Sequence, residues 1–170
     1  TWFDVANIDP PDDYQIDGVS AAPLFANPQK PIRTFVYGEM GSARSVKTKE
    51  WNYIALRYTQ EQVEAIRRNH RSVKQLMGLS GGVSRARMQP DAFDPDQLYD
   101  LNADPEEMIN VADDRENRKQ LRKMQRYLKQ ELGRFVQRPF GEFIPGGNAV
   151  PGDAQTDLRP LLKRIAAEMK

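Results

Sequence analysis

The sequence contains no cysteine and a single histidine, His70, among its 170 residues. Without cysteine there are no disulfide bonds, no cysteine-ligated metal sites and no cysteine nucleophile. With one histidine there is no histidine cluster, so we interpret His70 as a surface residue of a helix. No apolar run approaches the roughly 20 residues of a membrane span, and charged residues make up 29% of the chain. The expectation is a soluble protein that does not enter a membrane.

Several sequence signatures of enzymes are also missing. There is no G-x-x-x-x-G-K-[ST] loop and no G-x-S-x-G elbow. The glycine-rich stretch "GLSGGVS" (78–84) follows a predicted helix, whereas a phosphate-binding loop would precede one, so it is interpreted as a connection. The acidic run formed by Asp9, Asp12, Asp13 and Asp17 does not have the spacing of a calcium loop and is interpreted as solvated loop charge.

The charged residues are unevenly distributed along the chain. Residues 1–29 carry five Asp and no basic residue, whereas residues 115–138 carry nine basic residues and two Glu. In the predicted helix near residue 70, the basic residues Arg67, Arg71 and Lys74 have the spacing i, i+4 and i+7, which places them on one face. Arg85 and Arg87 follow in the next loop. Arginine presents paired donors that match sulfate or phosphate oxygens, so this group is a candidate substrate-binding set; the alternative is a solvated helix face. The candidates are Arg67, His70, Arg71, Lys74, Arg85 and Arg87.

Local patterns predict a mixture of short helices and antiparallel strands. "TWFDVANI" predicts a helix that ends at Asn7, because asparagine tolerates the left-handed conformation. "APLFANPQKP" predicts one helical turn. Alternation and enrichment in aromatic and β-branched residues predict strands in "RTFVYGEM", "ARSVKTK", "WNYIALRY" and "QLYDL", arranged as a meander.

Four further helices are expected. "TQEQVEAIRRNHRSVKQLM" (59–77) predicts a helix within an insertion at 59–96. A helix start is predicted at Asp104 and Pro105, and another at Asp113 or Asp114, which begins an amphipathic helix that extends to Phe135. A last helix is predicted from Thr156 or Asp157 onward. The expected fold is α+β, with a small antiparallel sheet of about four strands packed against a long C-terminal amphipathic helix, and with a helical insertion.

The segment "LYDLNADPEEMINVADD" (98–114) resembles a signature of the formylglycine-dependent sulfatases, which near their C-terminus read "LYDL..DP.E..N.A". Three other segments resemble this family in the same order. "TWFDVANIDPP" is similar to "T.LDLAGI..P", "IDGVSAAPLF" to "DG.SL.PLL", and "RSVKTKEWNYI" to "R.VRT..YKYI". Neither the insertion nor the tail after residue 139 matches a family segment.

The resemblance implies that the chain is a C-terminal subdomain, in which an antiparallel sheet and a helix pack on a larger α/β catalytic domain. Catalysis in this family uses formylglycine, made from the first residue of C/S-x-P-S-R, and a calcium ion. This chain has no such motif, so no catalytic, metal or cofactor residue is transferred to it. The implied division is residues 1–30 as the end of the catalytic domain and its exit loop, 31–138 as the subdomain, and 139–170 as a tail with a terminal helix.

We therefore expect the C-terminal portion of a sulfatase, inactive by itself and serving fold, substrate access or assembly. The expected partners are the catalytic domain and a sulfated carbohydrate substrate, with self-association when the catalytic domain is absent. The parent enzyme is expected in the periplasm or secreted. The alternative is a non-enzymatic interaction module that binds a protein or an anionic glycan. A nucleic-acid partner is not predicted, because the near-neutral chain matches no reader motif.

Overall fold

The computed structural model describes the following residues of the chain: 1–14, 16, 18–40, 42–58, 63–64, 67–68, 91, 94–134, 160–161 and 164. They belong to two compact units, Thr1–Val36 and Tyr37–Lys170. Within the described residues, no helix combines the length and the apolar character that crossing a membrane requires.

The first unit contains two short helices, α1 (Trp2–Ala6) and α2 (Pro23–Ala26). Helix α1 ends at Asn7, which adopts the left-handed conformation at φ 53° and ψ 48°. Its amide donates to carbonyls of the preceding turn, so the terminus predicted at this residue is confirmed. Helix α2 is the single turn expected before Pro28, with a proline at its start.

The second unit contains a four-stranded antiparallel sheet and a longer helix, which confirms the α+β fold. Neighbours in the sheet follow the chain order β1-β2-β3-β4, as a meander requires. The strands are β1 (Val36–Met40), β2 (Ala43–Lys47), β3 (Trp51–Leu56) and β4 (Asp96–Asp100).

One face of the sheet forms the core of this unit. Val46, Tyr53 and Leu98 lie directly opposite one another across β2, β3 and β4. Residues opposite each other in antiparallel strands point to the same face, and all three are fully buried. Ala55 extends this buried face along β3. On the opposite face, Asn52 and Tyr99 lie across from each other and are also buried. Both faces of β3 are therefore covered near Tyr53.

The longer helix, α3 (Arg118–Leu132), packs against β2 and β3. Its fully buried residues are Met124 and Leu128, and Gln125 hydrogen-bonds to the Tyr53 side chain. The helix therefore packs on the sheet through its apolar side, as predicted, and it covers the Tyr53 face. It begins later than predicted, because a tight turn that includes the bonds from Asn117 N–H and Arg118 N–H to carbonyls three residues earlier precedes it. It also ends earlier than predicted, at Leu132 rather than Phe135, because the chain turns at Gly133 and Arg134.

The helix predicted to start at Asp104 and Pro105 is wrong. Residues 101–106 form turns, and residues 107–110 have no regular structure. The physical reason is visible at Glu107, whose φ of 56° is incompatible with a continuing right-handed helix. Instead of capping a helix, the Asp104 carboxylate accepts a bond from Ile109 N–H at 2.8 Å. The chain thereby turns back toward β4.

The insertion and the tail are described at only a few positions. Val63, Glu64, Arg67 and Arg68 are helical, with Val63 buried and the other three exposed. These positions agree with the helix predicted over residues 59–77. Pro160, Leu161 and Arg164 are also helical. The remainder of both predicted helices lies outside the described residues.

Candidate functional site

The predicted substrate-binding group is described at one position only. Arg67 is helical and exposed. Its neighbour Arg68 forms an ion pair with Glu64 at 3.6 Å, on the same helical surface. His70, Arg71, Lys74, Arg85 and Arg87 lie outside the described residues. Substrate contact by this group remains a prediction.

The densest polar arrangement in the described part of the chain is instead the loop of residues 100–112, which follows β4. Asp100 Oδ1 accepts bonds from Asn102 N–H at 3.0 Å and Ala103 N–H at 3.4 Å. Asp100 O accepts from Asp104 N–H at 2.7 Å. Asp104 then holds the far end of the loop through Ile109 N–H. Two aspartates spaced four apart thus define the curvature of the 100–112 loop.

Asn110 fastens the 100–112 loop to the open edge of β4. Its Oδ1 accepts from Leu98 N–H at 2.9 Å and from Ala112 N–H at 3.0 Å. Its Nδ2 donates to Asp96 O at 3.1 Å and to Asp94 Oδ2 at 3.2 Å. Val111 N–H donates to Leu98 O at 2.9 Å. One amide side chain therefore supplies both donor and acceptor groups to a strand edge that would otherwise lack them.

Glu107 extends from the same loop to the sheet face opposite α3. Its Oε1 lies 2.6 Å from Lys47 Nζ, and its Oε2 accepts from Asn52 Nδ2 at 2.9 Å. Lys47, Asn52 and Tyr99 form one cross-strand row on this face. The left-handed backbone at Glu107 is uncommon for a residue other than glycine. The loop adopts it where the carboxylate spans β2 and β3.

A second polar network lies on the α3 face of the sheet. Asp96 Oδ1 accepts from Arg57 Nη2 at 2.9 Å and from the Tyr53 hydroxyl. Arg57 Nη1 also donates to Leu56 O and Pro95 O. The Arg57 side chain is 3% exposed and that of Asp96 is 28% exposed. A buried guanidinium is tolerated here because its hydrogen-bonding groups meet a carboxylate and carbonyls.

Burial raises the pKa of the Tyr53 hydroxyl far above 10, and the Asp96 carboxylate raises it further. Burial alone raises the pKa of Tyr58 in the same direction. The folded state therefore holds these two protons more tightly than the unfolded state does. Their contribution to stability is fully present below about pH 10 and is lost as the pH rises above it.

This linkage predicts the alkaline titration of the protein. Of its six tyrosines, Tyr53 and Tyr58 should not ionise until the chain unfolds, and the free energy of unfolding should fall as the pH rises above about 10. Tyrosinate absorbance, followed with circular dichroism across an alkaline titration, measures both effects. Tyr53→Phe should reduce the amplitude that appears with unfolding. If this amplitude is unchanged in the variant, the Tyr53 assignment is wrong.

The two networks connect strands to one another and to the loop that follows β4. Among the described residues, no group of three or more His, Asp or Glu side chains is arranged to hold a metal ion. The acidic and amide side chains of the 100–112 loop bond to backbone groups and to neighbouring strands. From the sequence, the 100–112 loop was notable only for its polar residues. The Arg57–Asp96–Tyr53 network was not predicted. The one sequence feature that could have indicated this network is Arg57, a charged residue within the predicted strand "WNYIALRY".

Comparisons with known proteins add no identification. No protein-family model matches the chain. No curated protein matches it.

Proposed function

We propose that this chain is the C-terminal subdomain of a formylglycine-dependent sulfatase, and that it supports the fold of a catalytic domain carried elsewhere in the parent protein. The observation that carries the proposal is the role of each polar letter in the pattern "LYDL..DP.E..N.A". These letters fall on Asp100, Asp104, Glu107 and Asn110. Each of the four side chains makes a bond that shapes or anchors the 100–112 loop.

A second support is the direct contact between two segments that each resemble a different sulfatase pattern. "RSVKTKEWNYI" supplies β2 and most of β3, and "LYDLNADPEEMINVADD" supplies most of β4 and the loop. Glu107 of one segment bonds to Lys47 and Asn52 of the other, which lie 60 and 55 residues away along the chain. A pattern shared across a family is expected where residues depend on one another in this way. Structural dependence explains why the letters contain no catalytic group.

A third support is the apolar surface of the first unit. None of its described residues is buried. Trp2 is 84% exposed and Phe25 is 73% exposed. Exposed large apolar side chains at this density mark a surface that packs on another partner. We propose that this partner is the catalytic domain, whose last helix and exit loop these residues would form.

Calcium and formylglycine are assigned to the catalytic domain alone. The chain has neither a cysteine nor the C/S-x-P-S-R motif, and the described residues contain no cluster of the kind that holds a metal ion. The described residues therefore give no basis for placing either group among them. We derive no catalytic step from them, and we propose sulfated carbohydrate as the substrate class of the parent enzyme.

The second candidate function is a non-enzymatic module that binds a protein or an anionic glycan. The observation that favours it is the surface of α3, where exposed basic residues greatly outnumber acidic ones. The two candidates differ in what the gene encodes before Thr1. A sulfatase requires C/S-x-P-S-R in the same reading frame, whereas a detached module requires a start codon close by.

The proposal is tested with the gene and with an activity assay. We expect the upstream reading frame to encode C/S-x-P-S-R, and the protein translated from that frame to hydrolyse an aryl sulfate. The 170-residue chain should show no turnover, with or without added calcium. A nearby start codon with a signal peptide would reject the sulfatase assignment. Turnover by the short chain that survives repurification would reject it too, since the active site would then lie in these residues.

A further inference from the structure

The outer surface of α3 is a basic stripe made of five residues: Arg118, Lys119, Arg122, Arg126 and Lys129. All five are exposed, whereas Met124 and Leu128 of the same helix are fully buried. At about 100° per residue, the five lie within an arc of roughly 100° on the side opposite the buried pair. The stripe is therefore a single surface of the helix, facing solvent over its whole length.

The basic stripe is straight and regular. Its residues are spaced one, three and four apart along a continuous helix. With a rise of about 1.5 Å per residue, the stripe is about 17 Å long from Arg118 to Lys129. Because the helix is packed on the sheet through its opposite side, the backbone holds the five cations in this line. Arg115, in the turn before the helix, is exposed as well.

Among the residues that the structure describes, no acidic side chain pairs with the basic stripe. In the described part of the chain, none of its five members forms an ion pair, and the pair at this end of the fold joins Glu131 to Arg134 at 3.2 Å. Arg118 with Arg122 and Arg122 with Arg126 are like charges at i, i+4, which destabilise a helix. Residues 115–134 contain eight basic and two acidic residues. A dense surface of positive charge of this kind is complementary to an anionic ligand.

We propose that the basic stripe is a docking surface for a linear sulfated polysaccharide. Arginine guanidinium groups bind sulfate oxygens through paired hydrogen bonds, and lysine adds point charges between them. A straight row of fixed cations is complementary to a chain that carries sulfate groups at regular intervals. The surface is separate from the predicted group that includes Arg67, and it would hold the polymer rather than act on it.

Two other polyanions fit the basic stripe less well. An anionic membrane is bound by helices that place large apolar residues beside their cations, and every apolar residue of α3 is at least partly buried, on the side facing the sheet or its flanks. Single-stranded nucleic acid requires exposed aromatic rings on which bases stack. Tyr127, the aromatic residue of α3, is partly buried and lies beneath Lys123, whose Nζ is 5.8 Å from the ring centre.

The choice of a sulfated polymer rests in part on the proposed function, whereas the basic stripe itself does not. The decisive experiment measures binding of fluorescent heparin to the 170-residue chain by anisotropy over a range of salt concentrations. We expect Arg122→Glu/Arg126→Glu to weaken binding about tenfold or more, and to reduce the slope of log affinity against log salt by about two. The control is Lys30→Glu/Arg33→Glu, which changes net charge equally at two exposed positions and should change the affinity little.

Competition separates the alternative ligands, and circular dichroism establishes that both variants fold. If the Glu variant unfolds, Arg122→Gln/Arg126→Gln replaces it. The Gln variant should lose less heparin affinity than the tenfold expected for Glu, but more than the control variant loses. Equal losses in the stripe and control variants would overturn the proposal, since binding would then follow net charge alone. Tighter binding to duplex DNA, single-stranded RNA or phosphatidylserine vesicles than to heparin would also overturn it. Absence of C/S-x-P-S-R upstream would reject the sulfatase assignment while leaving heparin binding intact.

Discussion

Replacing Asp96 by alanine is expected to lower the free energy of unfolding by about 3 kcal/mol. The substitution leaves the Arg57 guanidinium, 3% exposed, without its carboxylate, and it removes the acceptor of the Tyr53 hydroxyl. A buried cation without its counter-charge costs more than the pair contributed, because the low dielectric of the interior no longer has an opposite charge to offset desolvation. Urea unfolding followed by circular dichroism measures the effect.

The matched control for this substitution is Asp96→Asn. Asparagine retains the shape and an acceptor oxygen for Tyr53, so its cost should be about half that of alanine or less. Combining Asp96→Ala with Tyr53→Phe should cost less than the sum of the two single substitutions, because each removes the same hydrogen bond between Tyr53 and Asp96. Strict additivity would show that Tyr53 and Asp96 are not energetically coupled. An alanine variant as stable as the parent chain would show that the network does not stabilise the fold.

Replacing Asn110 by alanine should cost about 2 to 3 kcal/mol. The substitution removes all four bonds that this side chain makes to Leu98, Ala112, Asp96 and Asp94. The amide of Leu98, a residue that is fully buried, then lacks an acceptor, and a buried unpaired donor keeps its full desolvation cost. Thermal and urea unfolding give the magnitude, and hydrogen exchange at the Leu98 amide reports the local opening.

Asn102→Ala is the control in the same loop. Asn102 is exposed, and only its backbone N–H bonds to Asp100, so its side chain should be dispensable to within about 0.5 kcal/mol. Selective loss of protection at Leu98 in the Asn110 variant would identify the loop as the cover of the β4 edge. Equal protection in both variants would mean that Val111 alone closes this edge, and the role assigned to Asn110 would be wrong.

The elements that sequence patterns predicted well are those governed by neighbours along the chain. Asn7 ends α1 because its own backbone tolerates the left-handed conformation. The strand around Tyr53 was predicted from alternation within a few residues, and it places Tyr53 and Ala55 on one buried face. The helix predicted at Pro105 failed because a proline at the first position signals a helix only where the next residues continue it. At Glu107 the backbone turns the other way.

The candidate site could not be predicted in the same manner. Among the proposed substrate-binding residues, the structure describes Arg67 alone and places it on the surface. The polar networks join residues far apart in sequence, such as Arg57 with Asp96 and Lys47 with Glu107. No local pattern specifies such pairs, because a carboxylate has many basic residues available to it until strand register selects one. Register is a property of the assembled sheet.

Periodicity and turn chemistry were sufficient to assign the α+β class, the meander of strands and the apolar side of α3, since each depends on side chains within a few positions of one another. A direct reading of the sequence also shows that it contains no C/S-x-P-S-R motif. The tertiary structure alone decided that the aspartates, Glu107 and Asn110 of the 100–112 loop serve as fastenings rather than as a helix start. The physical reason is that buried strand-edge groups must find partners, and their demand outweighs the weak local preference of Asp104 and Pro105 for a helix.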